Sequence, residues 1–194
     1  MRIFLAGATG VIGIRLLPLL VDAGHVVAGM TRSPDKVAAI RARGAEAVVC
    51  DVFEEARLVE AVKSFEPDAI VDQLTDLPDR RGELVAHAAK NDRIRTEGTR
   101  NLVAAAKAAG ANRFLAQSIA WRPEERVRAL DLHEHQVLEI GGVVVRYGRL
   151  YGPGTYYERE LPSPPRVHVD AAARATPPLL DAASGIVTIV DPAQ

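Results

Sequence analysis

Gly7, Gly10 and Gly13 recur every three residues near the start of the chain, a spacing that can cradle a phosphate. Gly7 can take the backbone angles of a sharp turn. Gly10 lacks the β-carbon that would keep an anion from the main chain, and Gly13 lets a following helix lie close against its strand. The unpaired N–H groups and positive dipole end of such a helix attract phosphate. The stretch Gly7-Ala8-Thr9-Gly10-Val11-Ile12-Gly13 therefore reads as the seat of a dinucleotide pyrophosphate, with Thr9, Val11 and Ile12 among its contacts. Its spacing is one residue wider than the commonest dinucleotide fingerprint, and a plain structural turn is the alternative. The flanking pattern favours the first reading, because an apolar run (Ile3, Phe4, Leu5, Ala6) precedes it and an apolar helical period (Val11, Ile12, Leu16, Leu19, Leu20) follows it.

Three further positions belong to the same chemistry. Arg32 falls about 20 residues beyond the glycines, where an NAD site usually has an acidic residue for the ribose 2′-hydroxyl. A guanidinium there suits a 2′-phosphate and points to NADP, with NAD still possible; a solvated surface arginine is the plain alternative. Asp51, followed by Val52, can accept a hydrogen bond from an adenine amino group or cap the helix expected to start near residue 54. Gln73 lies just past a predicted strand, at the edge where open α/β sheets bind ligands. Ser118, Tyr147 and Tyr151 supply hydroxyls at that same edge. Ser118 either orients a reacting oxygen or satisfies a strand end, and no lysine stands near either tyrosine to lower its pKa.

Strands are predicted at 2–6, 25–30, 46–50, 68–72, 113–118 and 143–147, and helices at about 11–23, 36–43, 54–66, 91–109 and 123–140. Asp35 is placed to cap the second helix. Alternation at this pace gives right-handed βαβ units: an α/β fold, a doubly wound parallel sheet of Rossmann type with helices on both faces. We expect a dinucleotide-binding domain over 1–150 and a short C-terminal part over 151–194, with a late strand, a helix and a final strand. Gly98 inside a strong helical pattern costs about 1 kcal/mol against alanine, which a close approach to sheet or ligand would justify.

The chain has 194 residues, 48% hydrophobic and 25% charged, with a formal net charge of −1. That balance offers no global field for nucleic acid or an anionic membrane, and no apolar run approaches a membrane span. The single cysteine, Cys50, excludes an internal disulfide, and a cytoplasmic location is the expectation. His133-Glu134-His135 suggests metal at first sight, but residues two apart on a helix point away from each other, so no metal site is expected.

Taken together these stretches resemble the extended short-chain dehydrogenase/reductase superfamily, in its NAD(P)-dependent epimerase/dehydratase branch. The resemblance rests on the glycine loop, on Glu97-Gly98-Thr99-Arg100-Asn101-Leu102 with Gly110, on Arg113-Phe114-Leu115-Ala116-Gln117-Ser118, on Arg146-Tyr147-Gly148-Arg149-Leu150-Tyr151-Gly152-Pro153-Gly154, and on Arg166-Val167-His168-Val169-Asp170. It implies a bound nicotinamide dinucleotide, a small-molecule substrate, hydride transfer with Ser118 and Tyr151 at the reacting end, and a homodimer through the helices after the fourth and fifth strands. Family enzymes also carry a Tyr-x-x-x-Lys pair on the helix after Ser118, the tyrosine as acid/base and the lysine lowering its pKa. This chain has Arg126 and Leu130 at those places. Arg95 stands where the family often has asparagine, and the substrate segments near 121–123 and 161–165 look abridged. A catalytically silent cofactor sensor and a non-redox isomerase or lyase are the competing readings.

Overall fold

The computed structural model describes residues 1–192. The first half runs β1 (Arg2–Ala6), α1 (Gly13–Asp22), β2 (Val26–Thr31), α2 (Val37–Arg41), β3 (Glu46–Val49), α3 (Glu55–Phe65), β4 (Ala69–Asp72) and α4 (Ala88–Arg93). The second half runs α5 (Thr99–Ala109), β5 (Arg113–Ile119), α6 (Val127–Glu139), β6 (Val143–Tyr147), β7 (Arg149–Tyr151), β8 (Arg166–His168), α7 (Val169–Ala175) and β9 (Gly185–Ile189). Seven strands form one parallel sheet in the order β3-β2-β1-β4-β5-β6-β9. β7 and β8 pair separately.

Strand residues alternate between two cores. Ile3, Leu5, Val71, Val143 and Val145 face a layer built from α1 and α7, while Phe4, Ala6, Ile70, Phe114 and Val144 face one built from α3, α5 and α6. Both faces are covered, so the strands read as continuous apolar runs. Each large side chain buried this way contributes about 1.5–3 kcal/mol.

The chain winds outward from β1 through β2 to β3, then returns to β4 on β1's other side. The carboxyl ends of β1 and β4 thus flank a crevice where the winding reverses, the usual ligand position in such sheets.

Three expectations change in detail. The single helix expected over 91–109 is α4 and α5 joined by a π-helical turn, Ile94–Gly98. Asp35 caps nothing; it sits inside the 3₁₀ turn Pro34–Lys36 that leads into α2. Asp51 does not cap α3 either: its carboxylate accepts from the Phe53 N–H at 3.0 Å and closes the turn before the helix.

Candidate cofactor and substrate site

A cavity of about 860 Å³ opens along the carboxyl edge of the sheet. Gly7, Thr9, Gly10, Val11 and Ile12 form one wall, Arg32, Asp51 and Val52 line one end, and Gln73 and Ser118 lie toward the other. Gly13 stands behind the wall.

The glycine loop meets the requirements set by its sequence. Gly7 has φ +80°, and a Cβ there would meet the Gln73 backbone at 2.7 Å. A Cβ on Gly13 would lie 2.1 Å from the Gly7 carbonyl oxygen, so α1 can start this close only with glycine. The N–H groups of Thr9, Val11 and Ile12 make no backbone hydrogen bond among the described residues, whereas those of Ala8 and Gly10 are taken by Met30 and Gly7. Unpaired N–H groups at a helix N-terminus bordering a cavity bind anions well.

At the β2–β3 end, Arg32 extends half-exposed and donates to Asp76 at 3.0 Å, a bond that raises its already high pKa. The Thr9 and Thr31 hydroxyls lie 3.3 Å apart beneath it. Asn101 donates to the Val52 carbonyl at 3.0 Å, which ties α5 to this rim. A Cβ on Gly98 would make only ordinary van der Waals contact with the Val52 side chain, at 3.4 Å, so the close approach to sheet or ligand expected of that glycine is not what the fold requires there.

The β4–β5–β6 end is a hydrogen-bonded lattice. The Thr176 hydroxyl donates to the Ala172 carbonyl at 2.8 Å, so the Tyr147 hydroxyl, 2.6 Å away, donates to Thr176 and receives the Gln73 amide at 3.4 Å. Burial raises the Tyr147 pKa, and its proton is committed to Thr176. The Gln73 Oε1 is buried without a partner, the kind of acceptor a ligand amide or hydroxyl satisfies. These features, with the open loop N–H groups, fit a dinucleotide.

Ser118 is fully buried, and its hydroxyl donates to Glu134 at 2.6 Å. Arg146 grips the same carboxylate at 2.9 and 2.5 Å, and Arg122 reaches it at 3.3 Å. Burial pushes the Glu134 pKa up, but hydrogen bonds from Arg146 and Ser118 outweigh it and hold the carboxyl below its usual range. Next to it, His133 lies 2.9 Å from the Gln117 carbonyl and 2.7 Å from the Thr99 hydroxyl. The carbonyl can only accept, so the imidazole donates to it and accepts from Thr99 as a neutral ring. Burial first, and Arg95 second, bring its pKa down to about 4. His133 and Glu134 are structural partners, with no metal cluster among the described residues.

Tyr151 is not brought to the cavity. The chain leaves the main sheet after β6 to pair β7 with β8, and the Tyr151 hydroxyl donates to Asp191 at 2.9 Å. Arg126 and Leu130 do line the cavity, so the places of the acid/base pair are occupied by a permanent cation and an apolar side chain.

The sequence reading missed two buried ionisable groups, Asp72 and Arg95, 3% and 6% exposed. Burial raises the Asp72 pKa to about 6 despite the Leu74 N–H on its carboxylate, and burial lowers the Arg95 pKa to about 10. Arginine in place of the family's asparagine was the one available signal for Arg95.

A family model described as NAD(P)H-binding matches residues 7–139. A Streptomyces protein named 3-diazoavenalumate denitrifying reductase is 38% identical, the alignment covering 82% of this chain and 60% of that protein. The chain thus spans about 60% of the length of that relative. Among solved structures, UDP-glucose 4-epimerase from Thermotoga maritima superposes with a TM-score of 0.79 at 17% identity, covering 98% of this chain and 77% of that one. The UDP-glucose 4-epimerase of Thermus thermophilus, solved with NAD, gives 0.78 at 19% identity, covering 98% and 78%. The fold is that of the epimerase/dehydratase branch, as the resemblance implied.

Proposed function

The chain belongs to the NAD(P)H-binding family, and on that premise we propose that it is an NADP-dependent oxidoreductase acting on a small organic substrate. A bound nicotinamide supplies or takes up the hydride. Thr9, Val11 and Ile12 hold the pyrophosphate through their N–H groups, Arg32 takes the 2′-phosphate, Asp51 and Val52 meet the adenine, and Gln73 and Ser118 border the reacting end. One observation carries this reading: the unpaired N–H groups of the glycine loop face a large cavity at the sheet's switch point.

The reacting end narrows the chemistry. Arg126 and Leu130 supply neither a phenol nor an ammonium, so neither can protonate an alkoxide as the family's tyrosine does. Ser118 holds its own proton on Glu134. This favours reduction of an electrophile that needs no proton from that helix over oxidation of an alcohol. The relative named as a reductase of 3-diazoavenalumate is in keeping with a reductive direction.

The test follows nicotinamide absorbance with NADPH and a panel of carbonyl, conjugated and diazo compounds. Substrate-dependent loss of the NADPH band supports the proposal. Micromolar NADPH binding with no turnover on any compound favours the cofactor-sensor reading, to which the engaged Ser118 hydroxyl also lends support.

A further inference from the structure

Arg95 lies on the π-helical turn between α4 and α5, a local widening that often marks functional sites. The residue is 94% buried, since only 6% is exposed, yet it lines the cavity. Around it the other arginines have settled partners: Arg146 and Arg122 on Glu134, Arg32 on Asp76, Arg149 on the Pro164 carbonyl, and Arg126 on the Leu84 carbonyl. Arg95 differs. Its charge is supported only at a distance by Asp72, Asp92 and Glu134, with no hydrogen bond or ion pair to its guanidinium among the described residues. It keeps its proton at neutral pH, since its pKa of about 10 lies well above 7. A buried cation with open donors is costly unless an anion completes it.

The turn that carries Arg95 packs on α6, which also bears His133 and Glu134, and so lies on the β4–β5 side of the cavity. Arg32 lies at the β2–β3 end. Trp121, Leu130, Leu77 and Tyr156 give the cavity apolar and aromatic walls. The buried Arg95 guanidinium, with Arg126 close enough to lower its pKa, favours an anionic group on a flat apolar body.

We propose that Arg95 anchors the substrate: it binds, through its planar fork, the carboxylate of a small aromatic or conjugated acid at the β4–β5 end of the cavity. This deepens the oxidoreductase reading and rests on it.

Calorimetric titration tests it on the full chain, with and without saturating NADPH, using benzoate, cinnamate and phenylpropanoate against their primary amides. In the wild type at least one acid binds tenfold or more tightly than its amide. Arg95→Met removes that preference and leaves the NADPH affinity within twofold, while Arg95→Lys keeps part of it. Equal binding of every acid and its amide by the wild type overturns the proposal. So does a tenfold loss of NADPH affinity in Arg95→Met, which would assign the guanidinium to a coenzyme phosphate. A lower melting temperature for Arg95→Met with unchanged acid preference overturns it as well, marking Arg95 as a structural partner of Asp72. Absence of NADPH binding in the wild type would defeat the oxidoreductase reading alone, since the titrations without coenzyme still report on Arg95.

Discussion

Arg32 is the residue on which coenzyme choice turns in this account. It is half-exposed and bonded to Asp76, whose side chain is only 16% exposed, so a 2′-phosphate has to share the guanidinium with that carboxylate. A charge-assisted pair of this kind contributes about 2 kcal/mol. Arg32→Ala should therefore weaken NADP roughly thirtyfold while changing NAD little, as titration calorimetry would show; equal losses for both would remove Arg32 from the site. Protonation gives a second residue-scale prediction. The ordinary imidazole pKa is 6.5, and His133 is held down to about 4 in the fold. Between those values the unfolded chain binds a proton that the folded chain refuses, so stability falls as pH drops, by about 2 kcal/mol at pH 5. Asp72 acts in the opposite sense. Its pKa rises from 3.8 to about 6, so the folded chain keeps a proton the unfolded chain releases, and lowering the pH from 7 to 5 returns about 1 kcal/mol. Asp72→Asn abolishes that return, and its melting temperature should fall more steeply than the wild type's between pH 7 and 5. Parallel pH profiles would contradict the assignment.

The element that organises the site is the β1–loop–α1 unit, and its tolerance is narrow. Gly13→Ala places a methyl group 2.1 Å from the Gly7 carbonyl oxygen. Either α1 shifts or the loop does, at a cost of about 2 kcal/mol or more. A lower melting temperature together with at least tenfold weaker NADPH binding is expected; wild-type values for both would mean the close approach is not required. This unit was legible in the sequence because a glycine turn between a buried strand and an amphipathic helix leaves marks at fixed offsets. β6 likewise occupies Val143–Tyr147, as its run of three valines indicates. Arg32, Asp51, Val52, Gln73 and Ser118 could be placed because parallel topology alone brings strand ends to one edge. The remainder was hidden for physical reasons. Arg95 reads as one more helical arginine until the π turn and the packing of α6 bury it. Glu134 and His133 sit in a polar run, and only the fold reveals that Ser118, Arg146, Thr99 and Gln117 satisfy them. Tyr151 was misplaced because a three-residue strand can leave the main sheet without any change in its pattern.

For the molecule as a whole, the sheet and its two cores form a rigid support on which only the carboxyl edge has to vary. The homodimer implied by the family resemblance would use α4, α5 and α6, the layer that also carries Arg95 and Arg126. Sedimentation equilibrium should give twice the chain mass at micromolar concentration, and a single-chain mass would set that assembly aside. The central claim, that a dinucleotide rests its pyrophosphate on the start of α1, is tested most directly by titrating NADPH into ¹⁵N-labelled protein and following the backbone amides. The amides of Thr9, Val11, Ile12 and Gly13 should show the largest shifts and saturate together. Saturable binding that leaves those four unmoved, or no shift at millimolar NADPH, would contradict the account.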